Sequence, residues 1–296
     1  MFDCFREDRI RGDGATLFVR HGGDPAAPPL LLLHGYPQSS AMWHPIAPRL
    51  ARDYHVICPD LRGYGRSDKP AGGADHAAYS KRAMARDLIA VMDHFGHDRF
   101  VVAAHDRGAR VAHRMGLDHP DRVRAAAILD IAPTREMYAR TDRAFATAYW
   151  HWFFLIQPAP LPERMIEADP DGFWTMQTIG LSAGASPFSD AATEEYRTAF
   201  RDPAMIHAAC EDYRAAAGID IRHDDQDGGR KLPMPVLILW GRRGVIERCF
   251  DPLALWQDRA AHVEAATVNA GHFLVEEAPD AVLAELAPFL ARHATA

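Results

Sequence analysis

The chain has 296 residues, a net charge of −7 and a sequence pI of about 6.1. This length allows one large α/β domain, or a domain with an insertion, to bury a sizeable core. The acidic balance disfavours nucleic acid or an acidic membrane surface as the main partner. Four scattered cysteines lack the spacing of a zinc site or a disulfide framework, so we expect reduced thiols, no metal and no other cofactor.

The beginning of the chain, residues 1–8, is too charged for a signal peptide, and no apolar run approaches the length of a membrane span. The sequence therefore predicts a cytoplasmic protein.

Short apolar runs alternate with helical patterns over the first 133 residues. We predict strands at 15–20 (an edge strand), 30–33, 56–59, 100–104 and 124–129, and helices at 42–51, 79–95 and 107–118. Nearly continuous apolar strands that alternate with helices indicate an α/β fold with a mainly parallel sheet, covered by helices on both faces.

The pattern changes between about Thr134 and His223, where aromatic and helix-forming residues replace the strand signals. Strands are predicted again at 235–241 and 262–268. A helical insertion between two halves of one sheet explains this order better than two sequential domains. We therefore expect a core formed by residues 1–133 and 224–296 and a helical cap formed by residues 134–223.

A buried apolar strand runs into Ala104-His105-Asp106-Arg107-Gly108 and then into a helix, as in a nucleophile elbow. The reactive residue of this elbow would be Asp106. A carboxylate suits displacement at a saturated carbon, because the resulting alkyl ester can be cleaved by water. The motif favours halide displacement or epoxide opening, although an aspartate can also simply cap a helix.

Three further motifs accompany the elbow: His34-Gly35 after a strand, the loop Asp60–Ser67, and a late Gly271-His272-Phe273. Together they resemble the α/β-hydrolase superfamily across nearly the whole chain. The resemblance implies a cap inserted after the sixth strand, and the order nucleophile, acid, histidine. It also implies an oxyanion hole formed by the backbone N–H groups of Tyr36 and Arg107.

The acid of this triad is not where the superfamily usually places it, because the turn Gly241–Gly244 contains no aspartate. Asp130, at the end of the preceding strand, can serve instead, since a triad is defined by geometry and roles. Asp130 could also cap the first helix of the insertion. Glu247 and Asp251 remain rival acids.

Two arginines follow the nucleophile, Arg107 and Arg110, near the N-terminus of the predicted helix. They could hold a small carboxylate by charge-assisted hydrogen bonds. The alternative is that both are solvated or paired with acids.

The elbow helix, together with His151-Trp152 and Asp212-Tyr213-Arg214, is similar to the fluoroacetate (haloacetate) dehalogenases. The resemblance implies hydrolysis of haloacetates to glycolate and halide through an ester of Asp106, in a homodimer. It assigns carboxylate binding to Arg107 and Arg110, halide binding to His151, Trp152 and Tyr213, and water activation to His272 with Asp130. An epoxide hydrolase, a dehalogenase of another small 2-haloacid, and a non-catalytic ligand-binding protein are the alternatives.

Overall fold

The computed structural model describes residues 1–184 and 186–294. Its strands are β1 (Arg6–Arg11), β2 (Thr16–Gly22), β3 (Pro29–Leu33), β4 (His55–Pro59), β5 (Phe100–His105), β6 (Val123–Leu129), β7 (Leu232–Gly241) and β8 (Ala260–Val268). They form one eight-stranded sheet in the order β1-β2-β4-β3-β5-β6-β7-β8. Strand β2 pairs antiparallel with β1 and β4, and the other neighbours are parallel. The predicted mainly parallel α/β sheet is confirmed.

Strand β1 is absent from the sequence prediction, which made β2 the edge strand. Most side chains of β1 are exposed and polar, and Ile10 alone is buried. Such a strand lacks the apolar alternation on which strand prediction depends. It is defined by its ladder to β2 at the edge of the sheet.

The helices before β7 are α1 (Ala47–Leu50), α2 (Lys81–His94), α3 (Asp106–Asp118), α4 (Thr134–Ala139), α5 (Arg143–Ala148), α6 (Trp150–Phe154), α7 (Leu161–Glu167), α8 (Pro170–Leu181), α9 (Asp190–Phe200), α10 (Pro203–Ala217) and α11 (Ile219–Asp227). Those after it are α12 (Val245–Cys249), α13 (Pro252–Gln257), α14 (Leu274–Glu277) and α15 (Pro279–His293). Short 3₁₀ helices cover Ser40–Trp43 and Ala77–Tyr79. No helix in the described residues is both long and apolar enough to cross a membrane.

Helices α4 to α11 lie between β6, the sixth strand, and β7. We call residues 134–227 the inserted segment. It extends past the expected boundary at His223, because α11 continues to Asp227. Polar residues fill the last turn of α11, so apolar periodicity could not show where the helix ends.

The turn from β5 into α3 places Asp106 at the carboxyl edge of the sheet. Every residue of β5 is buried, and Asp106 takes a left-handed backbone conformation with φ of 46°. A Cβ on Gly108 would lie 2.4 Å from the carbonyl oxygen of His34, and one on Gly35 would lie 2.5 Å from Cβ of Asp106. Both positions need glycine because α3 approaches the end of β3 this closely.

Candidate active site

The carboxylate of Asp106 is buried at the start of α3, beside the loop that follows β3. Its Oδ1 accepts a hydrogen bond from the backbone N–H of Tyr36 at 3.0 Å. Its Oδ2 lies 3.9 Å from Nε2 of His272. One oxygen is therefore held by the backbone of the His34-Gly35 loop, while the other faces the histidine.

His272 donates its Nδ1–H to Oδ2 of Asp130 at 2.6 Å. Oδ1 of Asp130 accepts the backbone N–H of Gly241 at 3.0 Å. Asp130 is buried, and its backbone takes the left-handed conformation with φ of 50°. Because Nδ1 carries the proton, neutral His272 presents the lone pair of Nε2 towards Asp106.

The rival acids have other partners. Glu247 is exposed and accepts the indole N–H of Trp240, and Asp251 caps α13 by accepting the N–H of Ala254 at 3.0 Å. Gly241, the last residue of β7, supplies a backbone N–H to Asp130, and the turn that follows it contains no carboxylate. In the described residues, the carboxylate hydrogen-bonded to His272 is that of Asp130.

The charges of these groups shift each other's titration. Burial opposes ionisation of Asp106, but the positive field of His272 and Arg110 outweighs it and lowers the pKa of Asp106. Burial also disfavours the imidazolium of His272, yet the hydrogen bond and charge of Asp130 outweigh burial and raise the pKa of His272. At neutral pH the nucleophile is thus ionised, and the histidine titrates above its ordinary range.

His105 is a part of the site that sequence reasoning missed. Its Nε2 lies 2.8 Å from the carbonyl oxygen of His272, and because a carbonyl can only accept, Nε2 carries the proton. Burial lowers the pKa of His105 to about 3, so its ring is neutral. His105 fixes the backbone of His272, a contact across 167 residues of chain that no local motif could indicate.

Arg107 is fully buried and partly neutralised by an acid. Its Nε donates to Oδ2 of Asp212 at 2.9 Å, and its Nη2 donates to Oδ1 and to the backbone oxygen of Asp212, both at 2.8 Å. The guanidinium also lies over the ring of Tyr213, 4.1 Å from its centroid. Only Nη1 is left, buried and without a partner in the described residues. The alternative of pairing with an acid thus holds for two of the three nitrogens.

Arg110 has no acidic partner in the described residues. Its Nη1 donates to the carbonyl of Ala132 at 3.1 Å and to Oγ1 of Thr134 at 2.9 Å, and Nη2 contacts Sδ of Met137 at 3.3 Å. Its Nε is buried and unpartnered. Buried polar groups are normally satisfied, so an unpaired N–H on each of two neighbouring arginines indicates a place for an acceptor such as a carboxylate.

The three residues expected to bind halide lie together. The ring centroid of Tyr213 is 5.8 Å from that of His151 and 6.3 Å from that of Trp152, and all three side chains are buried. Burial lowers the pKa of His151 to about 3, so it is neutral, and its Nδ1 has no partner in the described residues. The ring of Tyr36 completes the group, 5.3 Å from Tyr213.

Tyr149 lies between this group and His272. Its ring centroid lies 6.2 Å from that of His272, 5.2 Å from that of His151 and 5.9 Å from that of Trp152. From the sequence, Tyr149 was a candidate only for the epoxide hydrolase alternative, as one of several tyrosines that could protonate an epoxide oxygen. Among the described residues, no group of three His, Cys, Asp or Glu side chains is arranged to hold a metal ion.

A carboxylate on a nucleophile elbow, beside a histidine and an acid at the edge of a mainly parallel sheet, defines a class of hydrolases. The chain belongs to the alpha/beta hydrolase fold family, whose sequence model matches residues 28–279.

Individual proteins of known sequence or structure are also similar to this chain. The chain is 46% identical to a fluoroacetate dehalogenase of Burkholderia sp. over 291 residues, which cover 98% of this chain and 95% of that protein. It is 34% identical to a soluble epoxide hydrolase of Corynebacterium sp. (strain C12) over 273 residues, 89% of this chain and 90% of that protein. The solved structure of an α/β hydrolase from Nostoc sp. PCC 7120 matches with a TM-score of 0.96 and 49% identity, covering 98% of this chain and 99% of that one. The resemblance indicated by the motifs is confirmed.

Proposed function

We propose that this protein hydrolyses haloacetates, including fluoroacetate and chloroacetate, to glycolate and halide through an ester of Asp106. The observation that carries the proposal is a buried carboxylate at the elbow together with two buried arginine N–H groups that have no partner in the described part of the chain. A substrate with its own carboxylate satisfies both groups. The 46% identity to a fluoroacetate dehalogenase supports the same conclusion.

In the first step, Nη1 of Arg107 and Nε of Arg110 hold the carboxylate of the substrate. Oδ2 of Asp106 attacks the α-carbon, since Oδ1 is held by the N–H of Tyr36. The C–X bond breaks and its electron pair leaves with the halide. Fluoride concentrates its charge, so N–H and O–H donors aimed at it act mainly in the transition state. His151, Trp152 and Tyr213 are these donors.

In the second step, Nε2 of His272 takes a proton from a water that attacks Cγ of Asp106. The oxyanion forms on Oδ1, where the backbone N–H groups of Tyr36 and Arg107 stabilise it. The bond between Cγ and the ester oxygen then breaks, and the imidazolium of His272 returns its proton to that oxygen as glycolate leaves. Asp106 keeps the oxygen of the water, and its remaining proton goes to solvent as the carboxylate is restored. Alkylation removes the negative charge of Asp106, which contributes to the raised pKa of His272. The pKa of His272 is therefore lower in the ester than in the resting enzyme, so a larger fraction of His272 is in the neutral form that can accept a proton.

An epoxide hydrolase fits the site less well. An uncharged epoxide would leave the free N–H groups of Arg107 and Arg110 buried and unsatisfied, which costs binding free energy. A larger 2-haloacid keeps the carboxylate and differs only in the space that it needs.

The test is release of halide from fluoroacetate, chloroacetate and 2-chloropropionate, with Asp106→Asn as the control. We expect fluoride and glycolate from the unaltered protein and no halide from the variant, because an amide is a far weaker nucleophile. Chloride release from 2-chloropropionate alone would shift the substrate to a larger haloacid. Diol formation from styrene oxide, with no halide from any substrate, would contradict the proposal.

We also propose that the protein is a cytoplasmic homodimer in which the inserted segment caps the active site. Exposed apolar side chains on α6 and α8 support self-association: Trp150 is 39% exposed, Met176 71% and Ile179 54%.

Sedimentation equilibrium should give twice the chain mass, and Met176→Glu with Ile179→Lys should lower the apparent mass. A single-chain mass for the unaltered protein at micromolar concentration would refute the dimer. Recovery outside the cytoplasmic fraction of cells would refute the location.

A further inference from the structure

A buried cluster of charged residues lies behind Arg107, on the side away from its free nitrogen. It consists of Asp212 in α10, Lys81 at the start of α2, Asp220 in α11 and Tyr64 in the loop after β4. The elements that contribute them are far apart in the chain, and all four side chains are buried. Buried charges are costly, so a cluster of this kind calls for an explanation.

The carboxylate of Asp212 has four donors. Arg107 donates from Nε and Nη2, Tyr64 donates its hydroxyl to Oδ2 at 2.6 Å, and Nζ of Lys81 donates to Oδ1. This saturation holds the guanidinium of Arg107 in one orientation. Nη1 is then the single nitrogen of Arg107 with no partner among the described residues. The direction in which Arg107 can bind an acceptor is set by Asp212.

The charges of the cluster affect how strongly Arg107 attracts an anion. An isolated Arg107–Asp212 ion pair would be nearly neutral and would attract a substrate carboxylate weakly. Lys81 places a second cation on the same carboxylate, so Asp212 does not cancel Arg107 alone. Asp220 contacts Lys81 from the other side, through the backbone N–H at 2.9 Å and at 3.6 Å from Nζ. Burial raises the pKa of Asp220 and lowers that of Lys81. Arg107 and Lys81 share the one carboxylate of Asp212, while Asp220 pairs with Lys81 and not with Arg107 in the described residues.

We propose that Lys81 and Asp212 are positioning residues that set the direction and the charge of the substrate-carboxylate site, and that Lys81 makes the enzyme select haloacetates over neutral haloacetamides. The inference rests on the proposed function and deepens it, because it names residues that determine specificity without touching substrate.

The test measures how fast Asp106 is alkylated in a His272→Asn background, by mass spectrometry of the Asp106 peptide, with chloroacetate and with chloroacetamide. These two reagents differ in charge and little in shape. Lys81→Gln keeps a hydrogen-bond donor but loses the charge. For this variant we expect the second-order rate constant of alkylation by chloroacetate to fall about tenfold or more. The rate constant with chloroacetamide should change less than about twofold, since its amide carries no charge.

Two further variants separate charge from packing. Lys81→Arg restores the cation and should recover the preference for chloroacetate. Tyr64→Phe removes a neutral donor from the same carboxylate and should leave the ratio of the two rate constants nearly unchanged. In the presence of His272, the loss in Lys81→Gln should appear in KM for chloroacetate rather than in kcat.

The outcomes distinguish this inference from the proposed function. Equal losses for both reagents in Lys81→Gln, or no loss with chloroacetate, would refute the role of Lys81 while leaving the haloacetate reaction in place. If Lys81→Gln does not fold, the same ratio is measured for Lys81→Arg and Tyr64→Phe, and a lost preference in Tyr64→Phe refutes the charge argument. Absence of any adduct on Asp106 in the parent would overturn the proposed function itself.

Discussion

Replacing His272 with asparagine is expected to stop turnover and to leave the substrate attached to Asp106 as a glycolyl ester. In the proposed mechanism, halide departure requires Asp106, the two arginines and the donors of the inserted segment, none of which this substitution removes. Ester hydrolysis requires a base at Nε2, which lies 3.9 Å from Oδ2 of Asp106 in the resting enzyme. One equivalent of halide should therefore appear per active site, followed by no further release.

The measurement is the intact mass of the protein after incubation with fluoroacetate, together with peptide mapping of the adduct. The double variant Asp106→Asn/His272→Asn is the control and should show no mass increase. An unmodified His272→Asn protein that nevertheless releases halide would contradict an ester intermediate. A stable adduct on any other residue would move the nucleophile away from Asp106.

The second large effect is expected for Asp130→Asn, with a loss in kcat of about 10⁴-fold, the size of loss seen when a triad aspartate becomes an amide. The substitution keeps the size of the side chain, but the amide cannot stabilise the imidazolium. The substitution is also expected to change how the rate of ester hydrolysis depends on pH. Hydrolysis of the ester needs neutral His272, so its rate falls as the pH drops through the pKa of His272 in the ester, which the hydrogen bond and charge of Asp130 still raise. Without the charge of Asp130 that pKa is lower, and the remaining activity should persist to lower pH.

Glu247→Gln and Asp251→Asn are the matched controls, because each removes one of the rival carboxylates by the same chemical change. Both are expected to keep nearly the full rate, since Glu247 bonds to Trp240 and Asp251 caps α13. The comparison uses single-turnover rates of ester hydrolysis across a pH series. A large loss of rate in either control, with the rate of Asp130→Asn unchanged, would show that the acid of the triad is Glu247 or Asp251 and not Asp130.

The amino-acid sequence by itself determined the α/β class and the elbow, and it supplied the residues proposed for the active site. Each of these depends on a local signal: an apolar strand followed by small residues and a carboxylate, two arginines three positions apart, and a glycine before His272. The match to the alpha/beta hydrolase family and the similarity to a fluoroacetate dehalogenase agree with what these motifs indicate.

Tertiary structure alone decided which groups act on one another. The choice of Asp130 as the partner of His272 depends on the end of β6 lying beside the loop after β8, two places that 142 residues of chain separate. The restraint of Arg107 by Asp212 and the support of His272 by His105 span comparable distances along the chain. Propensity and periodicity describe neighbours in sequence, whereas hydrogen bonds and pKa values depend on neighbours in space. For this reason the sequence could propose the residues of the candidate site, and the fold was needed to show how they are paired, oriented and charged.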